Sequence, residues 1–311
     1  MLRRDDQQPS LGHILGAAAS AVTRTRLPVL ILGETGSGKS HIAREVHGSL
    51  TPDAPFVEVN AAALPPTLLC SELFGHERGA FTGAHAAKAG LVALARGGTL
   101  FLDEIADLPM ESQTHLLSFL DTGRFRPVGG VRELTSDARV FAATNRDLEE
   151  LVAAGQFRED LYYRIASIVV AMPTLRARPG ELPSIARTLL EVAASRHELP
   201  CPVLSQEALD CLVGFSWPGN IRQLKFVMER ILVTWAGQIV GADEVRSVLP
   251  RPCAESTIRP HEVLPLAVAE REMVRRALES AGGSRTRAAQ LLGITPRGLY
   301  NKLRRYGIGV P

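Results

Sequence analysis

The chain has 311 residues, of which 45% are hydrophobic, and its formal net charge is +2. This length predicts two or three domains of about 100–200 residues each, with enough apolar side chains for a sizeable core. The four cysteines include no C-x-x-C pair and no histidine at zinc spacing, and no apolar run approaches the roughly 18 residues of a membrane span. We therefore expect a cytoplasmic protein with reduced thiols and no membrane partner.

The most informative stretch is a glycine loop near the N-terminus. It follows a predicted helix over residues 11–25 and an apolar run over 29–32, and it fits the pattern G-x-x-x-x-G-K-[ST]. The loop consists of Gly33, Glu34, Thr35, Gly36, Ser37, Gly38, Lys39 and Ser40. A strand, loop and helix in this order predict a phosphate pocket of backbone N–H groups, in which Lys39 reaches the β- and γ-phosphates of ATP and Ser40 ligates Mg²⁺. The alternative is a Gly-rich turn with a surface lysine.

Polar residues follow three of the predicted strands. Asn60, the adjacent Asp103 and Glu104, and Asn145 each stand at the C-terminal end of an apolar strand. Strands that alternate with helices predict a parallel, mostly doubly wound α/β sheet, which binds ligands beyond the carboxyl ends of its strands. Since neighbouring side chains of a strand point apart, one carboxylate can hold Mg²⁺ while the other polarises a water, and Asn145 suits a γ-phosphate sensor. Alternatively, Asn60 is a turn-former and the acidic pair caps the helix predicted over 109–121.

A glycine-flanked loop lies between the first two of these strands. It consists of Gly79, Ala80, Phe81, Thr82, Gly83 and Ala84. Its tip presents one aromatic ring and one hydroxyl, and a loop that exposes Phe usually has a partner for it. The alternative, equally supported by these residues, is that Phe81 folds back and plugs its own loop.

Two arginines lie in a short helical stretch over residues 157–165, after a hairpin-like excursion over 124–139. Arg158 and Arg164 fit the interpretation of arginine fingers that reach a neighbouring subunit's γ-phosphate. Surface ion pairs with Glu159 or Asp160 are the alternative.

Residues 173–249 lack strand signals and predict a helical lid. Its helices are expected over residues 183–197, 205–215, 220–236 and 242–248. A turn over 217–220 places Arg222 in the first turn of the third of these helices, where it would face a nucleotide held between core and lid. Without that arrangement Arg222 is an ordinary surface residue.

The C-terminal segment is basic and helical. After a Pro-rich stretch that predicts a linker, residues 264–311 contain nine Lys/Arg residues against three Glu residues, which favours a polyanionic partner. Helices are predicted over 264–280, 284–292 and 295–306, and the tight turn at Gly293 is typical of a helix-turn-helix. The residues expected at double-stranded DNA are Ser284, Thr286, Thr295, Arg297, Tyr300, Asn301, Lys302, Arg304 and Arg305. A basic three-helix cap that binds protein is the alternative.

Taken together, these motifs resemble the sigma-54-dependent transcriptional activators, bacterial enhancer-binding proteins of the AAA+ class. The loop at 79–84 matches the hallmark segment of that family letter for letter. The resemblance implies an AAA+ α/β ATPase core over residues 1–172, a helical lid over 173–249, a linker over 250–263 and a Fis-type helix-turn-helix domain over 264–311.

The resemblance also implies residue roles. Phe81 and Thr82 would contact sigma-54, Asp103 would ligate Mg²⁺, and Glu104 would activate water while pairing with Asn60 as a switch. Asn145 and Arg222 would be the first and second sensors, and Arg158 and Arg164 would act on the neighbouring subunit's nucleotide.

Four departures from the family pattern bear on these assignments. Ser40 stands where the family often has an acidic residue, which favours Mg²⁺ ligation, whereas Pro296 and Gly298 stand in the recognition helix where bulkier or more helix-favouring residues are usual. The two helix departures would weaken the helix or shift its base contacts. No receiver or GAF domain precedes the ATPase in this sequence, so we expect control in trans or through expression.

The resulting functional hypothesis is an ATP-hydrolysing activator that binds upstream DNA and opens promoters held by sigma-54 RNA polymerase. We expect it to act as a hexameric ring, alone or with a homologue. Two competing hypotheses are a DNA-binding regulator that uses ATP only structurally and an AAA+ remodeller of another client.

Overall fold

A computed structural model describes residues 25–250, 266–282 and 284–306. The chain divides into two compact units, Met1–Leu249 and Pro250–Pro311. The helix predicted over 11–25 and the linker predicted over 250–263 lie outside the described residues, apart from one end residue each.

Regular elements alternate along the first unit as the sequence pattern predicts. In chain order, the strands of the described residues are β1 (Val29–Leu32), β2 (Phe56–Asn60), β3 (Gly75–His76), β4 (Lys88–Ala89), β5 (Thr99–Asp103), β6 (Arg124–Phe125), β7 (Leu134–Thr135), β8 (Arg139–Thr144), β9 (Ile168–Ala171), β10 (Val203–Leu204) and β11 (Ile239–Val240). Their α-helices are α1 (Lys39–Leu50), α2 (Pro66–Phe74), α3 (Leu91–Leu94), α4 (Met110–Thr122), α5 (Leu148–Ala153), α6 (Glu159–Ile165), α7 (Leu182–His197), α8 (Gln206–Val213), α9 (Asn220–Trp235), α10 (Ala242–Val248), α11 (Leu266–Ser280), α12 (Arg285–Leu291) and α13 (Pro296–Tyr306).

Five parallel strands form the central sheet, in the order β2-β5-β8-β1-β9. Its central strands are apolar on both faces because helices cover both, as expected for a parallel sheet. Leu30 and Leu102 belong to the core cluster on one face, whereas Ile31 and Phe101 pack with Ile42 of α1 on the other. This confirms the predicted doubly wound α/β architecture and places the C-terminal ends of β1, β5 and β8 side by side.

The hairpin-like excursion predicted over 124–139 is confirmed as the antiparallel pair β6 and β7. A second short antiparallel pair, β3 with β4, flanks the loop that contains Phe81. The two pairs meet, because Glu77 N–H donates to Val128 O at 3.0 Å and Val128 N–H donates to Gly75 O at 2.8 Å.

The lid has its own core, centred on the fully buried Trp217, whose indole N–H donates to Leu212 O at 2.8 Å. Its helices α7 to α10 follow the predicted bounds within about two residues, and Ser205 caps α8 by accepting from Ala208 N–H. The lid also contains one short strand pair that the purely helical prediction did not include. Val203–Leu204 and Ile239–Val240 pair in parallel, and two-residue strands are too short to leave a period in the sequence.

The second unit contains the three helices α11, α12 and α13. Ala288, Leu299 and Leu303 are among its buried core residues, and Gly293 at φ 63° forms the turn between α12 and α13. The position of Pro296 does not support the prediction that this residue weakens the last helix. Pro296 is the first residue of α13, where its missing N–H costs no helical hydrogen bond.

Candidate functional site

The glycine loop joins β1 to α1 and shapes an anion pocket. Gly38 caps α1 in the left-handed region at φ 100°, which a residue with a Cβ rarely adopts, and α1 begins at Lys39. The free N–H groups of the first helical turn and the positive end of the helix dipole therefore face the loop. Lys39 is only 6% exposed, and its Nζ donates to Gly33 O at 3.0 Å and lies 3.9 Å from Glu104 Oε1.

A cavity of about 270 Å³ opens on this loop. It is lined by Thr35, Gly36, Gly38, Lys39, Ser40, His41, Asp103, Glu104, Ile221, Arg222 and Lys225. A second cavity of about 400 Å³ lies on the other side of the loop and is lined in part by Gly33, Glu34, Asn145 and Tyr162. A larger cavity of about 730 Å³ lies on α4 and the β6–β7 hairpin, without any residue of the glycine loop. Size alone therefore does not identify the site, whereas the glycine loop and its charges do.

Polar groups from the ends of β5 and β8 converge on the loop. Asn145 Nδ2 donates to Thr35 Oγ1 at 2.8 Å, and its backbone N–H donates to Glu104 Oε2 at 3.4 Å. Glu104 has a left-handed backbone at φ 53° and ψ 52°, which is a strained conformation for a residue with a side chain. This turn follows Asp103, whose Oδ1 accepts from Glu104 N–H at 3.1 Å. The structure thus brings Lys39, Asp103, Glu104 and Asn145 together.

Unlike Asp103, Glu104 and Asn145, Asn60 uses its side chain for a local turn. Its Oδ1 accepts from Ala62 N–H at 2.9 Å and caps a short 3₁₀ turn. Glu104 instead contacts the Lys39 and Asn145 groups. A switch pair between Asn60 and Glu104 therefore stays a prediction.

The lid contacts the glycine loop through one buried amide that the sequence analysis overlooked. Asn220 is fully buried at φ 49°, and its Nδ2 donates to Glu34 Oε2 at 3.0 Å and to Thr35 O at 3.2 Å. Its Oδ1 accepts from Leu175 N–H at 2.8 Å, so one side chain joins loop, lid entry and lid helix. The sequence predicted the turn over 217–220, but that turn was used only to place Arg222 on the helix that follows it.

Glu34 is the charged counterpart of that amide. Arg176 donates two hydrogen bonds to the Glu34 carboxylate, at 2.5 and 3.1 Å. Hydrogen bonds from Arg176, and next from Asn220, hold the pKa of Glu34 below its usual value, and the same pairing raises the pKa of Arg176. Arg222 lines the 270 Å³ cavity from the neighbouring turn, as predicted for a residue facing a bound nucleotide.

The two predicted arginine fingers lie at α6, Arg158 at its N-cap and Arg164 in its last turn, and neither lines the cavity at the glycine loop. Arg158 pairs with Asp160, with Nη2 to Oδ2 at 2.7 Å, and its Nη1 donates to Thr114 Oγ1 at 3.3 Å. Arg164 Nη2 donates to Leu120 O at 2.8 Å and its Nε lies 3.1 Å from Asp121 Oδ1. Both guanidinium groups are thus held by partners on α4 and α6, outside the lining of that cavity.

The Phe81 loop, residues 79–84, is a folded turn rather than an extended tip. Gly79 N–H donates to Ala84 O at 2.9 Å, and Ala84 N–H donates to Phe81 O at 3.0 Å. Phe81 is 37% exposed, and its ring packs edge-on against His76 with centroids 5.0 Å apart. Phe81 is therefore exposed on one side and supported by its own loop base on the other, which combines the two predicted alternatives.

The second unit presents its polar residues on α12 and α13. Ser284 Oγ accepts from Arg287 N–H, and Thr295 Oγ1 accepts from Gly298 N–H at 3.1 Å, so these two side chains cap the helices. Of the residues predicted at DNA, the exposed ones are Ser284, Thr286, Thr295, Arg297, Tyr300, Asn301, Arg304 and Arg305. Lys302 instead is half-buried and pairs with Glu270, which also accepts from Tyr306. These bonds lower the pKa of Glu270.

The family described as sigma-54 interaction domain matches residues 7–171, an AAA+ ATPase lid domain matches residues 176–257, and the Fis family of bacterial regulatory proteins matches residues 265–306. The chain belongs to the sigma-54-dependent transcriptional activators. It is an AAA+ protein of that family with a Fis-type DNA-binding helix-turn-helix, as the resemblance predicted.

Individual relatives of this activator agree with that assignment. It is 41% identical to the transcriptional regulatory protein ZraR of Salmonella typhimurium over 301 residues, which cover 96% of this chain and 67% of ZraR. It is 40% identical to the regulatory protein AtoC of Escherichia coli K12 over 295 residues, covering 92% and 64%. The chain thus spans about two thirds of the length of these relatives.

Solved structures of related activators share the fold. NtrX from Brucella abortus superimposes with a TM-score of 0.72 at 32% identity, covering 96% of this chain and 69% of NtrX. A structure of the same protein in complex with ATP gives a TM-score of 0.69 at 32% identity, covering 99% and 70%. In the described part of this activator, no helix combines the length and apolar character needed to cross a membrane.

Proposed function

We propose that this activator hydrolyses ATP with Mg²⁺ and uses the energy to remodel sigma-54 RNA polymerase bound at promoters. The observation that carries the proposal is the convergence of Lys39, Asp103, Glu104 and Arg222 on one cavity at the start of α1. A cavity lined by both cationic side chains and carboxylates suits a nucleoside triphosphate together with a divalent ion.

The donor set fits ATP and Mg²⁺. Ser40 and Asp103 offer hydroxyl and carboxylate oxygens, the ligands that Mg²⁺ prefers, and both line the cavity. Ser37 Oγ is buried and has no hydrogen-bond partner in the described part of the chain, so the loop retains an unsatisfied polar group. The NtrX structure in complex with ATP supports the same ligand for this loop. When bound, ATP supplies the phosphoanhydride bond and Mg²⁺ offsets the charge on its phosphates.

Each residue of the cavity then has a task that its position supports. Lys39 would bind phosphate oxygens, and Glu104 would orient and polarise the attacking water. Asn145, which bridges Thr35 and Glu104, would transmit the presence of the γ-phosphate, and Arg222 would do so from the lid. The strained backbone of Glu104 fixes the direction of its carboxylate before the nucleotide arrives.

A ring assembly completes the site, because Arg158 and Arg164 lie away from their own glycine loop. We infer that both act on the nucleotide of the adjacent subunit, in a homo-oligomer of the hexameric kind or a mixed ring with a homologue. Each must exchange a present partner, Asp160 or Asp121, for a phosphate. A doubly charged phosphate attracts a guanidinium more strongly than one exposed carboxylate does.

The Phe81 loop would couple hydrolysis to the polymerase. Phe81 and Thr82 would contact sigma-54, and the half-exposed ring already offers an apolar face. The loop base touches the β6–β7 hairpin, since a Cβ on Gly129 would lie 2.8 Å from Ala80 Cβ. Movement of the hairpin would therefore be passed to the loop tip. The family of sigma-54 interaction domains supports this partner.

The second unit would place the activator on upstream double-stranded DNA. Exposed Arg297, Tyr300 and Asn301 lie on α13, the second helix of the helix-turn-helix, and would read base edges in the major groove. Arg304 and Arg305 would contact phosphates. Lys302 would have to leave Glu270 to join them, so it contributes less than its charge suggests.

An ATPase assay with promoter opening tests the proposal. Glu104→Ala should abolish steady-state hydrolysis while nucleotide binding persists, and Asp243→Ala, which removes an exposed carboxylate on α10, should leave turnover unchanged. Thr82→Ala should retain hydrolysis but lose sigma-54 binding and promoter opening. Normal turnover by Glu104→Ala would remove the catalytic assignment, and unimpaired opening by Thr82→Ala would remove the coupling.

The same assay separates two other functions. A DNA-binding regulator that uses ATP structurally would bind nucleotide without hydrolysing it, and the strained Glu104 beside Lys39 argues against that function. A remodeller of another client would hydrolyse ATP without any response to sigma-54, which a pull-down with sigma-54 would reveal.

A further inference from the structure

We propose that Cys70, Glu111 and His115 form a binding site for a divalent transition-metal ion of the zinc class. The site lies between α2 and α4, away from the glycine loop, and its existence does not depend on ATP hydrolysis. A thiolate, a carboxylate and an imidazole with one remaining position for water form a donor set that Zn²⁺ accepts in tetrahedral sites.

The three donor atoms are already close. The thiol sulfur, a carboxylate oxygen and an imidazole nitrogen all lie within 4.8 Å of one another. Glu111 and His115 are four residues apart on α4, so both side chains stand on the same face of that helix, and Cys70 meets them from α2. Zn–S and Zn–N bonds of about 2.3 and 2.0 Å place tetrahedral ligands about 3.5 Å apart. Rotamer changes of the two exposed side chains can close the difference.

The surroundings leave these donors available. In the described part of the chain, neither the Glu111 carboxylate nor the His115 imidazole takes part in a hydrogen bond or ion pair. The Phe74 ring lies against the His115 ring, with centroids 5.5 Å apart, and limits its orientations. Ser112 Oγ is buried and lies beside the Cys70 thiol. Such a hydroxyl can donate to a metal-bound thiolate.

The charge of Glu111 also favours a cation at this position. In the described part of the chain its carboxylate has no cationic partner. A bound Zn²⁺ would take this carboxylate and the Cys70 thiolate as ligands and release the thiol proton to solvent.

The ion has a route in and a structural consequence. His115 also lines the 730 Å³ cavity on α4, so the site is open to solvent from that side. Metal binding would tie α2 to α4, and α2 ends at Phe74, directly before the strand that leads into the Phe81 loop. The ion would hold the base of that loop in place.

Metal titration of the full chain tests the proposal. Competition with a chromophoric chelator should give one Zn²⁺ per chain, and X-ray absorption should show one sulfur ligand at about 2.3 Å with nitrogen and oxygen ligands at about 2.0 Å. Loss of an outer-shell partner alone costs roughly 10- to 100-fold in metal affinity, so we expect Cys70→Ser to weaken Zn²⁺ binding at least about 100-fold. His115→Gln, which changes an exposed side chain, should weaken binding similarly.

Cys201→Ser is the matched control, because that exposed cysteine lies in the lid and should not change the affinity. Tight Zn²⁺ binding that survives in both Cys70→Ser and His115→Gln would overturn the proposal, as would an absorption spectrum without sulfur. Absence of stoichiometric binding to the parent chain would overturn it as well. None of these results depends on ATPase activity or sigma-54.

Discussion

Replacement of Asn220 by alanine tests how the lid is held on the glycine loop. The side chain is fully buried and makes three hydrogen bonds, to Glu34, to Thr35 O and from Leu175 N–H. Its backbone has φ 49°, a region that asparagine tolerates better than alanine does. Asn220→Ala should therefore detach the lid from the loop as well as destabilise it.

The size of the effect follows from the groups left behind. The Leu175 N–H is buried and would lose its acceptor, which costs about 1–3 kcal/mol, and the Thr35 carbonyl would lose a donor at about 1 kcal/mol. Alanine at a left-handed backbone costs about 1–2 kcal/mol more. Glu34 keeps Arg176, so no charge is stranded. We expect a loss of about 3–6 kcal/mol in the free energy of unfolding.

Urea-induced unfolding followed by tryptophan fluorescence measures this loss in the lid, because both tryptophans of the chain, Trp217 and Trp235, belong to it. Asn220→Gly should recover about 1 kcal/mol by relieving the backbone. Gln223→Ala, which removes one partly buried hydrogen bond from the same turn, should cost only about 1 kcal/mol. An Asn220→Ala protein within about 1 kcal/mol of the parent would refute the assignment.

Three further predictions concern the loop and the second unit. Gly36→Ala should destabilise the contact with the lid, because Gly36 has φ 76° and an added Cβ would lie 2.5 Å from the lid backbone. Gly48→Ala is the matched control, because a Cβ there meets free space and should stabilise α1 by about 1 kcal/mol. Hydrogen bonds from Arg176, and next from Asn220, lower the pKa of Glu34 in the folded state. The stability that this carboxylate contributes is therefore present above its unfolded pKa near 4.5 and is lost as pH falls through the folded pKa. Glu34→Gln should remove that part of the acid dependence of the free energy of unfolding. Arg304→Ala should weaken DNA binding of every sequence and reduce the slope of log K against log salt by about 1 in fluorescence anisotropy.

Each of these has a clear contrary outcome. Equal stability changes for Gly36→Ala and Gly48→Ala would mean that the loop does not touch the lid. An acid limb of the stability curve unchanged by Glu34→Gln would place its origin elsewhere. A salt slope that Arg304→Ala leaves intact, as Arg246→Ala in the lid should leave it, would remove Arg304 from the DNA interface.

The sheet and its convergent strand ends could be predicted because their signals are local. Apolar strands of four to six residues alternate with helices, and parallel strands bring their carboxyl ends to one edge, so Asp103, Glu104 and Asn145 were expected beside the glycine loop. The left-handed backbone of Glu104 was not predictable. It is imposed by the turn that follows β5, and no pattern of residue types encodes it.

The contact between loop and lid was also beyond the sequence. Asn220 and Arg176 lie more than 140 residues from Glu34 in the chain, and only folding brings them together. An Asn after Pro-Gly indicates a turn, and nothing local says that its amide enters the lid interface. The Phe81 alternatives stayed open for a similar reason, because the ring is supported by His76, a residue whose direction depends on the pairing of β3 with β4.

The central claim is that ATP hydrolysis drives the Phe81 loop against sigma-54 to open promoter DNA. Permanganate footprinting of a sigma-54 promoter measures the melted strand directly, with the full activator, sigma-54 RNA polymerase and either ATP or a non-hydrolysable analogue. The account predicts melting when the nucleotide is ATP. It predicts no melting with the analogue, with Phe81→Ala or with polymerase carrying another sigma factor. Melting that proceeds equally with the analogue or without sigma-54 would contradict it.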